Sequence, residues 1–270
     1  SFNTFLDGAQ PNTNPIPCIC VPSTYRTPFV FTNEVPITDS RNHQVKLLKV
    51  QKNLCKLVLY DPNMTLTLTD NQKATLSIEL ISMAVEAYLS QKANFFSDTF
   101  VEKGLQLLTY ALDGSPSLDI TTPEEILLAQ AGTMLSLATT SSSLGLASLL
   151  SLTINSRYSI VKPLISSILL PYMLEDAAKY KSSQIVKLAK IMNCIPEDEN
   201  PSSEEICNYF IDSIRQRIAK ANLPTRLKDL NLTIEQLSLA VEDVKQIDIV
   251  NTLPRSMSTD DIFDFVKKAY

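Results

Sequence analysis

Six prolines crowd the first 36 residues, at Pro11, Pro15, Pro17, Pro22, Pro28 and Pro36, and together they forbid a long helix there. What remains open to this stretch is short strands and turns. The apolar runs place strands over Cys18 to Val21, Phe29 to Ile37, Gln44 to Val50 and Lys56 to Tyr60. After Pro62 the pattern changes to long segments of helical period, which predict helices over 71–92, 95–112, 123–154, 162–192, 203–221, 233–247 and 258–269. Thr122-Pro123-Glu124-Glu125 and Ser202-Ser203-Glu204-Glu205 read as capping boxes, with Thr233 and Gln236 a weaker third. Thr139 to Ser143 marks a helix break or a place of close packing.

The expected architecture is therefore mainly α: a β-rich piece over 1–62 and an all-helical domain over 63–270. Four short strands in some sixty residues have exposed edges and little core of their own, so the sheet calls for further strands or helices to cover it. The chain opens on Ser1 rather than methionine, which suggests a processed form or a fragment with more protein upstream.

Several function classes are disfavoured by scarcity. The chain has five glycines in 270 residues, against roughly 7% in average proteins, and no two lie close enough to cradle a phosphate. The single histidine, His43, lies in a polar stretch and reads as a surface residue, which excludes a His-rich metal site. Net charge is −5, and neither the first 62 residues nor the remainder carries a basic stripe, so nucleic acid is not an expected partner. The longest apolar run, Leu144 to Ile154, is too short to cross a bilayer of about 30 Å. Five scattered cysteines, an odd number, fit a reducing, cytoplasmic setting better than a disulfide framework.

A series of strings then gives the chain a family. Ile19-Cys20-Val21-Pro22-Ser23-Thr24 is similar to a strand ending in Pro-Thr-Thr. Pro36-Ile37-Thr38-Asp39, Val45-Lys46-Leu47 and Val58-Leu59-Tyr60-Asp61-Pro62 with Thr65 follow in order. Met83-Ala84-Val85-Glu86-Ala87-Tyr88 resembles a "HAIEAY" helix. Ile168-Leu169-Leu170-Pro171, Leu223-Pro224-Thr225-Arg226-Leu227, Asn251-Thr252-Leu253-Pro254-Arg255 and Thr259-Asp260-Asp261-Ile262 complete the series. Collinear over almost the whole chain, these motifs resemble the iron-dependent alcohol dehydrogenases. The resemblance implies a dehydroquinate synthase-like helical domain, preceded by the β-rich remnant of an N-terminal α/β nucleotide-binding domain.

It also implies where that family holds its divalent metal. The four ligand positions fall on Glu79, Met83, Ser148 and Lys162, and a further histidine near the substrate and nicotinamide falls on Leu152. Of these only Glu79 could ligate a metal well; thioether, hydroxyl and ammonium groups do not build an oxygen and imidazole site. The cofactor-binding positions fall on Ser23, Thr24, Thr27 and Leu152, and the phosphate turn reads Tyr25-Arg26-Thr27-Pro28-Phe29, without glycine. No metal or cofactor is expected, and NAD(P) only with an upstream domain.

Individual residues carry sharper expectations. Lys162 either occupies the vacated metal position and pairs with Glu79, or is a solvated residue at a helix start. Met83 and Leu152 read as core filling, Arg26 as a surface charge, and Cys18 and Cys20, on one strand face, as buried structural thiols. The leading functional expectation is a diverged, non-catalytic family member that serves as a scaffold or interaction module. A protein partner or an upstream domain would cover the 1–62 strands. The alternative is a metal-independent NAD(P)-dependent oxidoreductase whose cofactor domain lies upstream of Ser1.

Overall fold

The computed structural model describes residues 2–10, 12–14, 16–49, 55–115, 121–196 and 200–270. Val50, at the end of the third expected strand, lies outside them, as do Ser1, Pro11 and Pro15. A single helical turn, α1 (Asn3–Leu6), precedes four short strands: β1 (Cys18–Cys20), β2 (Glu34–Thr38), β3 (Val45–Lys49) and β4 (Cys55–Val58). β2 and β3 form an antiparallel hairpin in which Glu34 faces Lys49 and Thr38 faces Val45. The 29–37 expectation was too long, because Phe29 to Thr32 form turns closed by Val30 N–H to the Thr27 carbonyl and Thr32 N–H to the Phe29 carbonyl. β1 and β4 form a separate parallel pair with a shift of register after Cys18. His43 is exposed at the hairpin turn with φ of 60°.

All regular structure described after Pro62 is helical. At its centre runs α2 (Asp70–Leu89), which starts with a capping box between Thr69 and Gln72 and is buried at every residue from Thr75 to Leu89. A helix buried on all sides is the middle of a bundle rather than its surface. Around it lie α3 (Phe95–Asp113), α4 (Glu124–Ser141), α5 (Leu146–Tyr158), α6 (Lys162–Ile191) and α7 (Ser203–Lys220). Two shorter helices, α8 (Ile234–Val244) and α9 (Thr259–Ala269), finish the chain. The capping boxes at Ser202 and Thr233 form as expected, with Glu205 and Gln236 closing them. The one at Thr122 does not: Pro123 is the residue before α4, and no side chain caps it.

The apolar residues fall into two cores. One gathers α2, α3, α4, α7 and the second half of α6; the other gathers α5, the first turns of α6, α8 and α9. α6 therefore runs through both. The single helix expected over 123–154 is instead two, α4 and α5, meeting at 98°. The break falls between Ser141 and Leu146, partly within the Thr139 to Ser143 stretch, and Gly145 shows why it is sharp: a Cβ there would lie 2.8 Å from Glu86 Cγ. No single helix among the described residues is long and apolar enough to cross a membrane.

Candidate functional site

The positions singled out in the sequence converge on one face of α2. Residues at i, i+4 and i+7 share a helix face, so Glu79, Met83 and Glu86 form a stripe along it. All three are buried, Glu79 and Met83 with no exposure at all. The loop after β1 meets the first of them: Arg26 Nε lies 2.5 Å from Glu79 Oε1, with the Arg26 side chain 9% exposed and that of Glu79 1%. Arg26 and Glu79 thus form a buried ion pair. Arg26 is therefore not the surface charge that the sequence suggested.

Lys162, at the first position of α6, is half-buried and within the field of both Arg26 and Glu79, but it makes no ion pair with Glu79. It stands at a helix start, as one of the two expectations had it, but is partly buried rather than fully solvated. The ion pair of Glu79 is made instead by the Arg26 guanidinium, on a loop whose Tyr25 is completely buried. Burial lowers the Lys162 pKa from the usual lysine range, and the neighbouring Arg26 lowers it further. Burial raises the Glu79 pKa, while Arg26 and then Lys162 oppose that rise.

Glu86 is the residue whose role the sequence did not disclose. Its carboxylate accepts a hydrogen bond from Ser148 N–H at 2.8 Å and another from the Ser148 hydroxyl at 2.5 Å. α5 has no side-chain cap of its own, and Glu86 supplies one from α2, a carboxylate at the positive end of a helix. Even so, burial dominates and raises the Glu86 pKa, with the bonds from Ser148 opposing. Only the pairing of a buried acid with a glycine-led helix far along the chain could have pointed to it. Gly145 is that glycine.

The expected cofactor positions are scattered in role. Ser23 is exposed, and the Thr24 hydroxyl bonds to the Arg26 carbonyl at 3.2 Å. The Thr27 hydroxyl lies 2.6 Å from the Tyr60 hydroxyl and 3.2 Å from that of Ser136, which ties the loop to α4. Leu152 packs in the second core, as Met83 does in the first, in keeping with core filling. The loop backbone presses on α4 so closely that a Cβ on Gly132 would fall 1.9 Å from the Tyr25 carbonyl oxygen. Cys18 and Cys20 are half-buried rather than buried. Among the described residues, no group of three or more His, Cys, Asp and Glu side chains is arranged to hold a metal ion.

Comparison with known proteins fits this fold and these motifs. The C-terminal profile of the Fe-containing alcohol dehydrogenase family matches residues 73–270. The chain belongs to that family. Lactaldehyde reductase of Escherichia coli (strain K12) is 21% identical over 266 residues, a match that covers 98% of this chain and 69% of the reductase. For 1,3-propanediol dehydrogenase of Citrobacter freundii the identity is 20% over 264 residues, covering 97% and 68%. Among solved structures, an alcohol dehydrogenase from Oenococcus oeni superposes with a TM-score of 0.85 at 21% identity, covering 97% of this chain and 68% of its own. A 1,3-propanediol oxidoreductase gives 0.83 at 19%, with the same coverage. At such identities these dehydrogenases share the fold with this chain, and the shared part spans nearly the whole of it, the β-rich piece included.

Proposed function

We propose that this protein is a diverged, non-catalytic member of the iron-containing alcohol dehydrogenase family, acting as a scaffold or interaction module. The observation that carries the reading is the Arg26–Glu79 contact. At the four positions where the family resemblance sets the metal ligands, this chain has one carboxylate, a thioether, a hydroxyl and an ammonium. The carboxylate already faces a guanidinium at 2.5 Å, the hydroxyl is committed to Glu86, and the Lys162 ammonium lies in the same field. A divalent cation would have to displace one positive group and tolerate the other, with no imidazole in reach. These residues do not fit a divalent metal. Nor does the 23–28 loop suit a pyrophosphate, since it lacks glycine and its backbone is packed on Gly132.

The interaction role is supported by the N-terminal piece, read as a remnant of the nucleotide-binding domain over 1–62. Ile19, Val21, Leu57 and Leu59, in and next to the β1 and β4 pair, are 46% to 60% exposed. Parallel strands are ordinarily covered on both faces, so another protein or a further α/β segment is the partner that this surface fits. The odd number of scattered cysteines supports a reducing setting such as the cytoplasm over a disulfide framework.

The test is the purified protein from iron- and zinc-supplemented growth. We expect far less than one equivalent of metal and no thermal shift with Fe²⁺, Zn²⁺, NAD(H) or NADP(H). No turnover of lactaldehyde or 1,3-propanediol should be seen. Stoichiometric iron or zinc that disappears in Glu79→Ala would overturn the reading. A second reading, a metal-independent NAD(P)-dependent oxidoreductase with its cofactor domain upstream, is favoured by the relatives' extra length beyond the match. A thermal shift with NAD(P)(H) but not with metal would decide for it.

A further inference from the structure

The β1 and β4 pair holds a cluster that the reading above leaves unused. Cys18 and Cys20 lie two apart on β1 and so share a face, and their sulfurs are 3.9 Å apart. Across the parallel ladder, Cys55 is the register partner of Cys18, and paired residues point the same way. The register shift that follows pairs Ile19 with Leu57 and Cys20 with Val58, so Lys56 is the extra residue and the three thiols stay on one side. Ile19 and Leu57 take the other side. The Cys20 pKa is pushed up to about 12, first by the adjoining Cys55 thiol, then by burial and by Cys18.

Cys55 is also the way in. It lines a groove of about 980 Å³ between the 28–34 segment, β4 and the corner of α4 and α5, and the charged groups lining that groove are Lys49, Lys56 and Lys92 against Glu34 and Asp248. The excess of lysines along the groove draws anionic thiol reagents toward Cys55. The other two cysteines are apart from this group, Cys194 beside Ser213 and Cys207 beside the Ser182 carbonyl.

We propose that Cys55, Cys20 and Cys18 form a thiol–disulfide exchange site, which reacts through Cys55 with an anionic low-molecular-weight disulfide and closes one disulfide between β4 and β1. In the first step the Cys55 thiolate attacks one sulfur of the reagent; the reagent's S–S bond breaks, a mixed disulfide forms and one small thiolate leaves. In the second, a β1 thiol gives its proton to water and attacks the Cys55 sulfur, expelling the second small thiolate. Two protein thiols are oxidised by two electrons, the reagent disulfide is reduced to two thiols, and one thiol of the cluster remains. The raised Cys20 pKa makes this cysteine a poor first nucleophile and a slow resolving one, so the reaction quickens toward alkaline pH.

The experiment uses the reduced, desalted protein and oxidised glutathione, followed by intact mass, thiol alkylation and peptide mapping. The expected product has lost two hydrogens and two alkylatable thiols, with the new bond joining Cys55 to Cys18 or Cys20, and Cys194 and Cys207 still alkylated. Cys55→Ser is expected to abolish closure, because the bond includes Cys55, whereas Cys18→Ser alone leaves a competent pair in Cys20 and Cys55. Circular dichroism of each variant confirms that it is folded. Three results would each overturn the proposal: closure in Cys55→Ser, a stable glutathione adduct on Cys55 without closure, or a disulfide that maps to Cys194 or Cys207.

Discussion

The Glu86 carboxylate caps α5 through the Ser148 backbone N–H at 2.8 Å, so a residue of the first core fixes where a helix of the second begins. Removing the cap in Glu86→Ala leaves the first buried N–H groups of α5 without an acceptor, a cost of about 1–3 kcal/mol. Ser148→Ala removes only the hydroxyl bond and should cost about 1 kcal/mol, as read by urea denaturation.

Glu86 also predicts a pH dependence. Its folded pKa lies above that of the unfolded chain, so as pH rises the unfolded state gives up its proton first. Its contribution to stability is full below the unfolded carboxylate range and is lost as pH rises through the folded pKa. Glu86→Gln keeps an acceptor for Ser148 but cannot ionise. Its melting temperature should therefore gain on that of the parent as pH is raised from about 4.5, the usual glutamate range. A constant difference across that range would refute the assignment.

The Arg26–Glu79 contact predicts an asymmetry between two cations. Arg26→Ala strands a buried carboxylate and should destabilise by about 3–5 kcal/mol, while the double variant Arg26→Met with Glu79→Leu recovers most of the loss. Lys162→Ala, which breaks no ion pair, should change stability by less than about 1 kcal/mol. Thermal melts of the four proteins check both.

Gly132→Ala is expected to be costly for a steric reason alone. Its methyl would sit 1.9 Å from the Tyr25 carbonyl oxygen, which is backbone and cannot swing aside. We expect a loss of about 1–3 kcal/mol or more and a weakened hold on the 23–28 loop, visible as faster hydrogen exchange there.

Much of this was readable from the chain. The helices announced themselves by period and by Ser202 and Thr233, because an amphipathic segment and its cap are local signals. The family was legible in motifs, and the positions at stake on α2 followed from them. What the sequence hid was long-range. Nothing near Gly145 says that Glu86 will meet it, so although Thr139 to Ser143 hinted at a break, one helix was drawn across the corner between α4 and α5. Arg26 stands in a proline-flanked loop that reads as solvent-exposed, and its burial depends on Tyr25 finding the flat surface of Gly132. Thr122 has the chemistry of a cap, yet α4 begins after Pro123 without using it.

The passage of α6 through both cores has a thermodynamic corollary. Ile165 and Ile168 belong to one cluster while Leu170 and Leu174 belong to the other, all on the stretch of α6 that precedes its non-helical kink at Lys181. Neither half can loosen without fraying the rod that serves its neighbour. Heating should therefore produce a single calorimetric transition for the helical body, its two halves lost in concert.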